Sequence, residues 1–448
     1  MHGHTEESAR LADRILAYAE DRFRLDPVPL DGPRPPEELA RLAGPTVTED
    51  GLGGDVALDL FDQVLAPACI STDHPRYLSF IPAAPTEAAT LFDLVVGASS
   101  IYGGSWLEGA GAVYAENQAL RWLSDLAGLP GRAGGVFVQG GTIGNLSALV
   151  AARHAAAASA ADRPQRWKVA ATAQAHSSIT TAARVMDVDV VDVEPDGDGR
   201  LRGEQLRSAL DHAGDGVFAV VATAGSTNFG TVDRLDEVAD VCSERGLWLH
   251  VDGAFGGAAL AAASARPLFT GIERADSFIV DPHKWLFAPY DCCALLYREP
   301  ELARAAHTQT AGYLEPLQGG DDWNPSDYAI NLTRRARGLP FWFSLAAHGT
   351  RAYAAAVERT LAVARYAAKE ISGRTYVDLL REPDLSVVVF RRLGWEPEQY
   401  YDWSERLMRA NLAFVTPTTH RGETVTRFAI VNPRTTEADI STILDTMA

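Results

Sequence analysis

A chain of 448 residues, 47% hydrophobic and 22% charged, is long enough for two domains, or for a large α/β domain with a smaller appendage, and has the make-up of an ordinary globular protein. Its formal net charge of −19 repels phosphate backbones, which argues against a nucleic-acid partner, and no apolar run approaches the length that spans a bilayer. The opening MHGHTEESAR lacks the basic residues and apolar run of a leader peptide, and Cys69, Cys242, Cys292 and Cys293 form neither a disulfide framework nor a zinc spacing, so the expected address is the cytoplasm.

Residues 1–85 read as helices joined by a proline-rich connector, with Leu11, Ile15 and Tyr18 on one helical face and Val56, Leu60 and Val64 on another. The connector DPVPLDGPRPPEE is expected to be extended, because each proline fixes φ and lacks a donor. A segment with so little core of its own must lie against another body, the rest of the chain or a second subunit. Across residues 86–340 short apolar runs alternate with amphipathic stretches, the pattern of a mostly parallel sheet covered by helices. The predicted strands are GGVFVQ, WKVAAT, VDVVDV, GVFAVVAT, LWLHVD, DSFIVD and CALLYR. Between two of them LDEVADVCSERG reads as a helix that ends at Gly246 in a left-handed cap. Residues 341–448 predict a small α+β domain. It comprises a long alanine-rich helix, the strand LSVVVF, a helix through Asn411, the strand TVTRFAIV and a last helix opened by Thr436.

In an open α/β sheet ligands sit outside the carboxyl ends of the strands, so the residues after each strand are the candidates. GGVFVQ is followed by Gly140, Gly141, Thr142, Ile143 and Gly144 at the start of a helix, which makes either a tight turn or a cradle of backbone amides for a phosphate. It is neither GxGxxG nor GxxxxGK[ST], which argues against a nucleotide. His176 follows WKVAATAQA and reads either as part of a helix cap or as a flat imidazole at the mouth of the sheet. Asp252 ends the apolar strand LWLHV, where a carboxylate needs a salt bridge, a cation or a protonated ring nitrogen. Lys284 follows DSFIV and shares the desolvation problem, relieved if the amine is deprotonated or consumed as an imine. Phosphate cradle, flat ring, carboxylate and lysine together match the phosphate, aromatic ring, basic nitrogen and aldehyde of pyridoxal 5′-phosphate.

With these residues the chain resembles the group II pyridoxal-phosphate decarboxylases, the family of the aromatic-L-amino-acid, tyrosine, tryptophan and glutamate decarboxylases, from HPRYLSFIPAAP through the small C-terminal domain. The resemblance implies an α/β fold of the pyridoxal-phosphate-dependent transferase type (aspartate aminotransferase-like, fold type I). It implies a seven-stranded, mostly parallel sheet, an N-terminal helical segment that wraps the partner subunit and a small C-terminal domain. It makes Lys284 the Schiff-base lysine and Asp252 the partner of the pyridinium nitrogen, stacks His176 on one ring face and packs Ala254 on the other. His283 lies near the phosphate and Thr227 near the ring hydroxyl, and Gly141, Thr142 and Ile143 form the phosphate cradle, although relatives often carry an acidic residue in place of Ile143. Thr333 is placed at the cofactor as well. Tyr313, in TAGYLEP, stands where related decarboxylases place a tyrosine that returns a proton to Cα.

Thr72, Phe80, Ile81, Pro82, Ala83, Tyr102 and Gly104 are implied to line the substrate pocket. Phe80, Ile81, Pro82 and Tyr102 make a mostly apolar wall, which suits an aromatic or large apolar amino acid. Acidic and diamino substrates, and the aldehyde synthase or lyase reactions of the same fold, remain the alternatives. Thr72, Gly104 and Thr333 depart from the aromatic enzymes and leave a pocket of altered shape. The resemblance further implies a homodimer with shared active sites, which the sparse core of residues 1–85 independently suggests.

Overall fold

The computed structural model describes residues 2–317 and 322–448. Helix α1 (Glu6–Arg24) starts where Thr5 and Ser8 cap each other reciprocally, and α2 (Pro36–Ala43) and α3 (Gly54–Leu60) follow; none of the three buries a side chain. The connector is extended only as far as Pro35. Pro36 opens α2, because a proline at the first helical position forfeits no hydrogen bond, so Pro36, Glu37 and Glu38 are helical where the sequence predicted extension. Val28 and Leu30 are buried, and they anchor this segment to the rest of the chain.

Two helices, α4 (Glu87–Ala98) and α5 (Trp106–Leu126), lead into the main sheet. Its strands are β1 (Gly134–Val138), β2 (Lys168–Thr172), β3 (Asp189–Val193), β4 (Val217–Thr223), β5 (Trp248–Asp252), β6 (Ser277–Val280) and β7 (Cys293–Tyr297), in the order β1-β7-β6-β5-β4-β2-β3 with β7 antiparallel to both neighbours. All seven predicted strands form. All but the edge strand β3, whose Asp189 and Asp192 are exposed, are buried on both faces, as their apolar runs require: Val136, Val138, Ala219 and Val221 pack on one side, and Phe137, Val220 and Ala222 on the other. Helices α6 (Gly141–Ser159), α7 (Ser177–Met186), α8 (Gly203–Ala213), α9 (Leu235–Arg245) and α10 (Pro282–Trp285) connect the strands, α11 (Pro300–His307) follows the last of them, and Gly246 caps α9 in the left-handed conformation expected of it.

The alanine-rich stretch is two helices rather than one, α12 (Leu339–His348) and α13 (Thr350–Ser372), divided at Gly349 with φ 77°. A second, antiparallel sheet follows: β8 (Val377–Leu379), β9 (Val387–Arg392), β10 (Pro417–His420) and β11 (Glu423–Ala429), ordered β10-β11-β9-β8, with α14 (Pro397–Arg409) and α15 (Glu437–Asp445), the latter capped by Thr436. The sequence reading named β9 and β11 but not the short β8 and β10. The β10–β11 hairpin turns through Arg421 and Gly422, both at positive φ. Residues 76–79 are tied to this small unit by Phe414 N–H to Arg76 O, Leu78 N–H to Phe414 O and Ala429 N–H to Leu78 O. That tether carries Phe80 and Ile81 to the mouth of the large sheet.

Candidate active site

The carboxyl ends of β1, β2, β4, β5 and β6 open on one cavity of about 480 Å³. At the end of β1 the chain turns through Gly140 (φ 135°), and α6 begins at Gly141 with no side-chain cap, so the N–H groups of Gly141 and Thr142 are available to an anion, while that of Ile143 donates to Gly140 O at 3.1 Å. A Cβ at Gly141 would lie 3.3 Å from both Ala254 Cβ and Asp281 Oδ2, so a side chain there would crowd the cavity floor. Thr142 and Ile143 follow in the lining. After β2, His176 is the N-cap of α7, its Nδ1 accepting from Ser178 N–H at 3.2 Å, and its ring remains exposed at the cavity mouth; both readings of this residue hold at once. Thr223 and Asp252 sit side by side in the β4–β5 register, and Thr227, Ala254, His283 and Lys284 complete the floor and walls.

Lys284 is deep in the fold, with 24% of its side-chain surface exposed, and its Nζ lies 2.8 Å from Asp281 Oδ2. Burial pulls the lysine pKa down, but the Asp281 charge and hydrogen bond outweigh it and leave the amine above its ordinary value. Burial likewise pushes Asp281 up, and the Lys284 and His283 charges more than reverse that. The two are an ion pair, a solution to the desolvation problem that the sequence reading passed over. His283 is held low chiefly by burial, its Nδ1 at 2.7 Å from Cys292 O. Asp252 is buried, accepting from Asn145 Nδ2 at 2.8 Å and from its neighbour Ala254 N–H at 3.1 Å. Three buried atoms of the lining, Gln139 Oε1, Thr223 Oγ1 and Asp281 Oδ1, have no partner among the described residues. Native interiors rarely leave such groups orphaned, so the cavity is built for a polar guest. Amides for a phosphate, a buried carboxylate for a ring nitrogen, an amine for an aldehyde and hydroxyls around a ring fit pyridoxal phosphate group by group.

Phe80, 58% exposed and at φ 49°, and the half-buried Ile81 form the outer wall with Tyr290 and Asp291. Ala83 and Pro82 are buried just behind, the backbone of Ala83 hydrogen-bonding the Tyr290 side chain. Tyr102, Gly104, Thr72 and Thr333 do not line this cavity. Tyr102 and Gly104 instead form a second cluster with the Leu332–Arg335 stretch: Tyr102 Oη donates to Leu332 O at 2.8 Å, Gly103 N–H to Arg334 O and Ser326 N–H to Gly104 O. The side chain of Tyr313 lies outside the described residues. Reading the sequence also missed Asn145 and Arg427. Arg427 is buried in β11 on the face it shares with Val425 and Ala429, which pack into the core of the large sheet, so its guanidinium faces that way. Burial lowers it to about 10, and its Nη1 has no partner among the described residues. A larger cavity of about 600 Å³ between α1, α13 and the Asn432–Arg434 loop holds none of the catalytic groups, so chemistry rather than size locates the site.

The chain is 28% identical over 418 residues to the aromatic-L-amino-acid decarboxylase of Bacillus atrophaeus, covering 89% of this chain and 86% of that one. It is 31% identical over 410 residues to the L-2,4-diaminobutyrate decarboxylase of Rhizobium meliloti, covering 89% and 82%. Its fold superposes on the crystal structure of Oryza sativa TDC with PLP and tryptamine at a TM-score of 0.92, with 24% identity over 100% of this chain and 99% of the other. Residues 36–393 match the pyridoxal-dependent decarboxylase conserved domain, the span that carries the whole cavity floor, and the chain therefore belongs to the pyridoxal-dependent decarboxylase family.

Proposed function

We propose that this decarboxylase converts an aromatic or large apolar L-amino acid to its amine and CO2, working as a homodimer. The observation that carries the substrate class is the lining of the cavity. Phe80, Ile81 and Tyr290 offer apolar surface, and the side-chain cations among the lining residues are limited to Lys284 and the histidines. A side-chain carboxylate finds no guanidinium in the lining. A side-chain ammonium fares no better: Asp281 is paired with Lys284, and Asp291 is held by Arg337 at 2.8 Å.

Pyridoxal phosphate, when bound, supplies an aldehyde that condenses with amines and a ring that takes up the electron pair left as CO2 departs. Lys284 presents the amine that anchors it, and Asp281 Oδ2 is placed to take or return the proton of Lys284 Nζ. Asp252 offers a buried carboxylate to the ring nitrogen. His176 and Ala254 line the same cavity and would hold the ring between them and exclude water. The start of α6 at Gly141, Thr142 and Ile143, chiefly through the amides of Gly141 and Thr142, would hold the phosphate with His283, and Thr227 would serve the ring hydroxyl. Tyr313 would be the residue that returns a proton to the substrate Cα. The separate cluster of Tyr102, Gly104 and Thr333 supports a site completed between two subunits, since these residues have no place in the cavity of their own chain.

The test is a panel of amino acids, tryptophan, tyrosine, phenylalanine and leucine against glutamate, aspartate and 2,4-diaminobutyrate, scored for amine and CO2. Turnover confined to the second group overturns the substrate class. Lys284→Ala is expected to abolish the borohydride-trappable cofactor adduct and at least 10³-fold of the rate, roughly. Tyr313→Phe is expected to divert product toward aldehyde and ammonia, with O2 consumed and peroxide formed.

A further inference from the structure

Beneath the cavity floor lies a run of buried polar side chains that the roles above leave unused. Trp248, Ser277, His250, Asn145 and Ser178 are all buried, and none but Asn145 reaches the cavity lining. Trp248 Nε1 lies 2.8 Å from Ser277 Oγ, which lies 2.8 Å from His250 Nδ1. His250 Nε2 is 2.8 Å from Asn145 Oδ1. Asn145 Nδ2 then makes two contacts, 2.8 Å to Asp252 Oδ2 and 2.9 Å to Ser178 Oγ, and Ser178 Oγ lies 2.8 Å from His176 Nδ1.

The ends of this chain fix its direction. An indole N–H can only donate and a carboxylate can only accept, whereas every group between them can do either. Trp248 therefore donates to Ser277, whose hydroxyl donates to His250 Nδ1. His250 then carries its proton on Nε2 and gives it to Asn145 Oδ1. This requires a neutral imidazole, and burial supplies one by lowering His250 to about 4 against the opposing charge of Asp252. With its oxygen so used, the amide of Asn145 must turn both N–H groups forward, one to Asp252 and one to Ser178. The Ser178 hydroxyl in turn donates to His176 Nδ1, which also accepts Ser178 N–H, so a neutral His176 holds its proton on Nε2. A flipped Asn145 would set its oxygen against the carboxylate and leave the N–H of His250 without an acceptor.

We propose that Asn145 is a positioning residue, oriented by His250, that fixes the carboxylate of Asp252 and the tautomer of His176 through one amide. The proposal rests on the pyridoxal-phosphate reading of Asp252 and His176. One planar group thus sets both the carboxylate that meets the ring nitrogen and the imidazole on the ring face. His250, although remote from the cavity, acts on both through it.

The test measures binding of pyridoxal phosphate to the cofactor-free protein, the pH midpoint of the bound cofactor's visible absorption, and the thermal midpoint. Asn145→Leu is expected to weaken cofactor binding on the order of tenfold and to move the absorption midpoint by about one pH unit. His250→Leu is expected to do the same from outside the cavity, and His250→Gln, whose amide can still donate to Asn145, to restore most of the loss. Variants that lower the thermal midpoint while leaving affinity and absorption midpoint unchanged would show a purely structural network and overturn the proposal. Should the variants not fold, nitrogen chemical shifts of labelled histidines in the unaltered protein decide. Protons on Nε2 of both His250 and His176 support it, and a proton on Nδ1 of His250 overturns it. A protein that takes up no pyridoxal phosphate refutes the reading of the cavity, while the histidine tautomers still judge the wiring.

Discussion

Lys284 shows how a single residue can be legible in sequence and yet incompletely understood. Its place after an apolar strand marks it as buried, and the sequence reading allowed it relief by loss of its proton or by covalent use. The structure adds Asp281, three residues earlier on the same short turn, where the i,i+3 spacing lets the carboxylate fold back onto the amine. Asp252 and His176 were legible for the same reason as Lys284, a strand ending just before each. Asn145 was not, because its partners His250 and Asp252 lie more than a hundred positions away along the chain. The pair makes a signed expectation for Asp281→Asn. In the unaltered protein the amine is held high and the carboxylate low, so their mutual stabilisation is complete between the unfolded-state values of the two groups, roughly pH 4 to 10.5. It is lost as acid protonates Asp281, and lost again as base takes the proton of Lys284. Asp281→Asn should cost the cofactor-free protein about 2 kcal/mol inside that window, and progressively less below it as acid protonates Asp281 in the unaltered protein, by thermal unfolding. With the carboxylate gone, burial, the largest influence on Lys284 and a lowering one, is opposed only by the smaller pull of Asp252 and Cys293, so the lysine pKa falls. The rate at which pyridoxal phosphate condenses with the cofactor-free variant should therefore reach half-maximum at a lower pH than in the unaltered protein, and an unmoved or higher midpoint would refute the pairing.

At the scale of elements, what the sequence announced was whatever its apolar runs and caps dictate locally. All strands of the main sheet but β3, where Asp189 and Asp192 interrupt the run, are largely continuous apolar segments, so their burial on both faces could be read off directly, and Thr436 and Gly246 marked a helix start and stop by capping chemistry. What stayed hidden is set by context. β8 and β10 are too short to show a period, and their pairing is decided by β9 and β11 beside them. Gly349 divides α12 from α13 inside a stretch of otherwise strong helix formers. The order of strands in the sheet, with β7 inserted antiparallel between β1 and β6, has no local signature at all. That insertion explains Gly135, where a Cβ would stand 1.9 Å from the carbonyl oxygen of Leu295 in β7, a backbone atom that cannot step aside. Because β1 ends in the turn that starts α6, a distorted β1–β7 pair displaces the phosphate cradle. Gly135→Ala should lower stability by about 3 kcal/mol or more and weaken cofactor binding, read by chemical denaturation with and without pyridoxal phosphate. A variant of ordinary stability would show that the strands can part here without penalty.

Over the whole molecule, the apolar surface is distributed as though another chain belongs on it. Leu91, Leu94 and Val95 on α4, with Leu107 and Tyr114 on α5, are all exposed, and α1 to α3 bury nothing at all. The nearby Tyr102, Gly104 and Thr333 cluster stands apart from the cavity of its own chain. A homodimer that covers α4 and α5 accounts for both facts, because the surface that needs cover and the cluster that needs a site lie together. Such an association would have to overcome the repulsion of two chains each carrying −19, so apolar burial would have to drive it. Added salt screens that repulsion and leaves the apolar term intact, so the dimer should tighten, not loosen, as ionic strength rises. Sedimentation should give twice 48.2 kDa for the unaltered protein. Leu94→Glu, which plants a further negative charge in the proposed contact, should shift the mass toward the single chain and lower activity per chain in proportion to the dimer lost. Salt should partly restore both. A Leu94→Glu protein that sediments as a monomer yet keeps full activity on dilution would place the complete site within one chain, and the second cluster would then need another explanation.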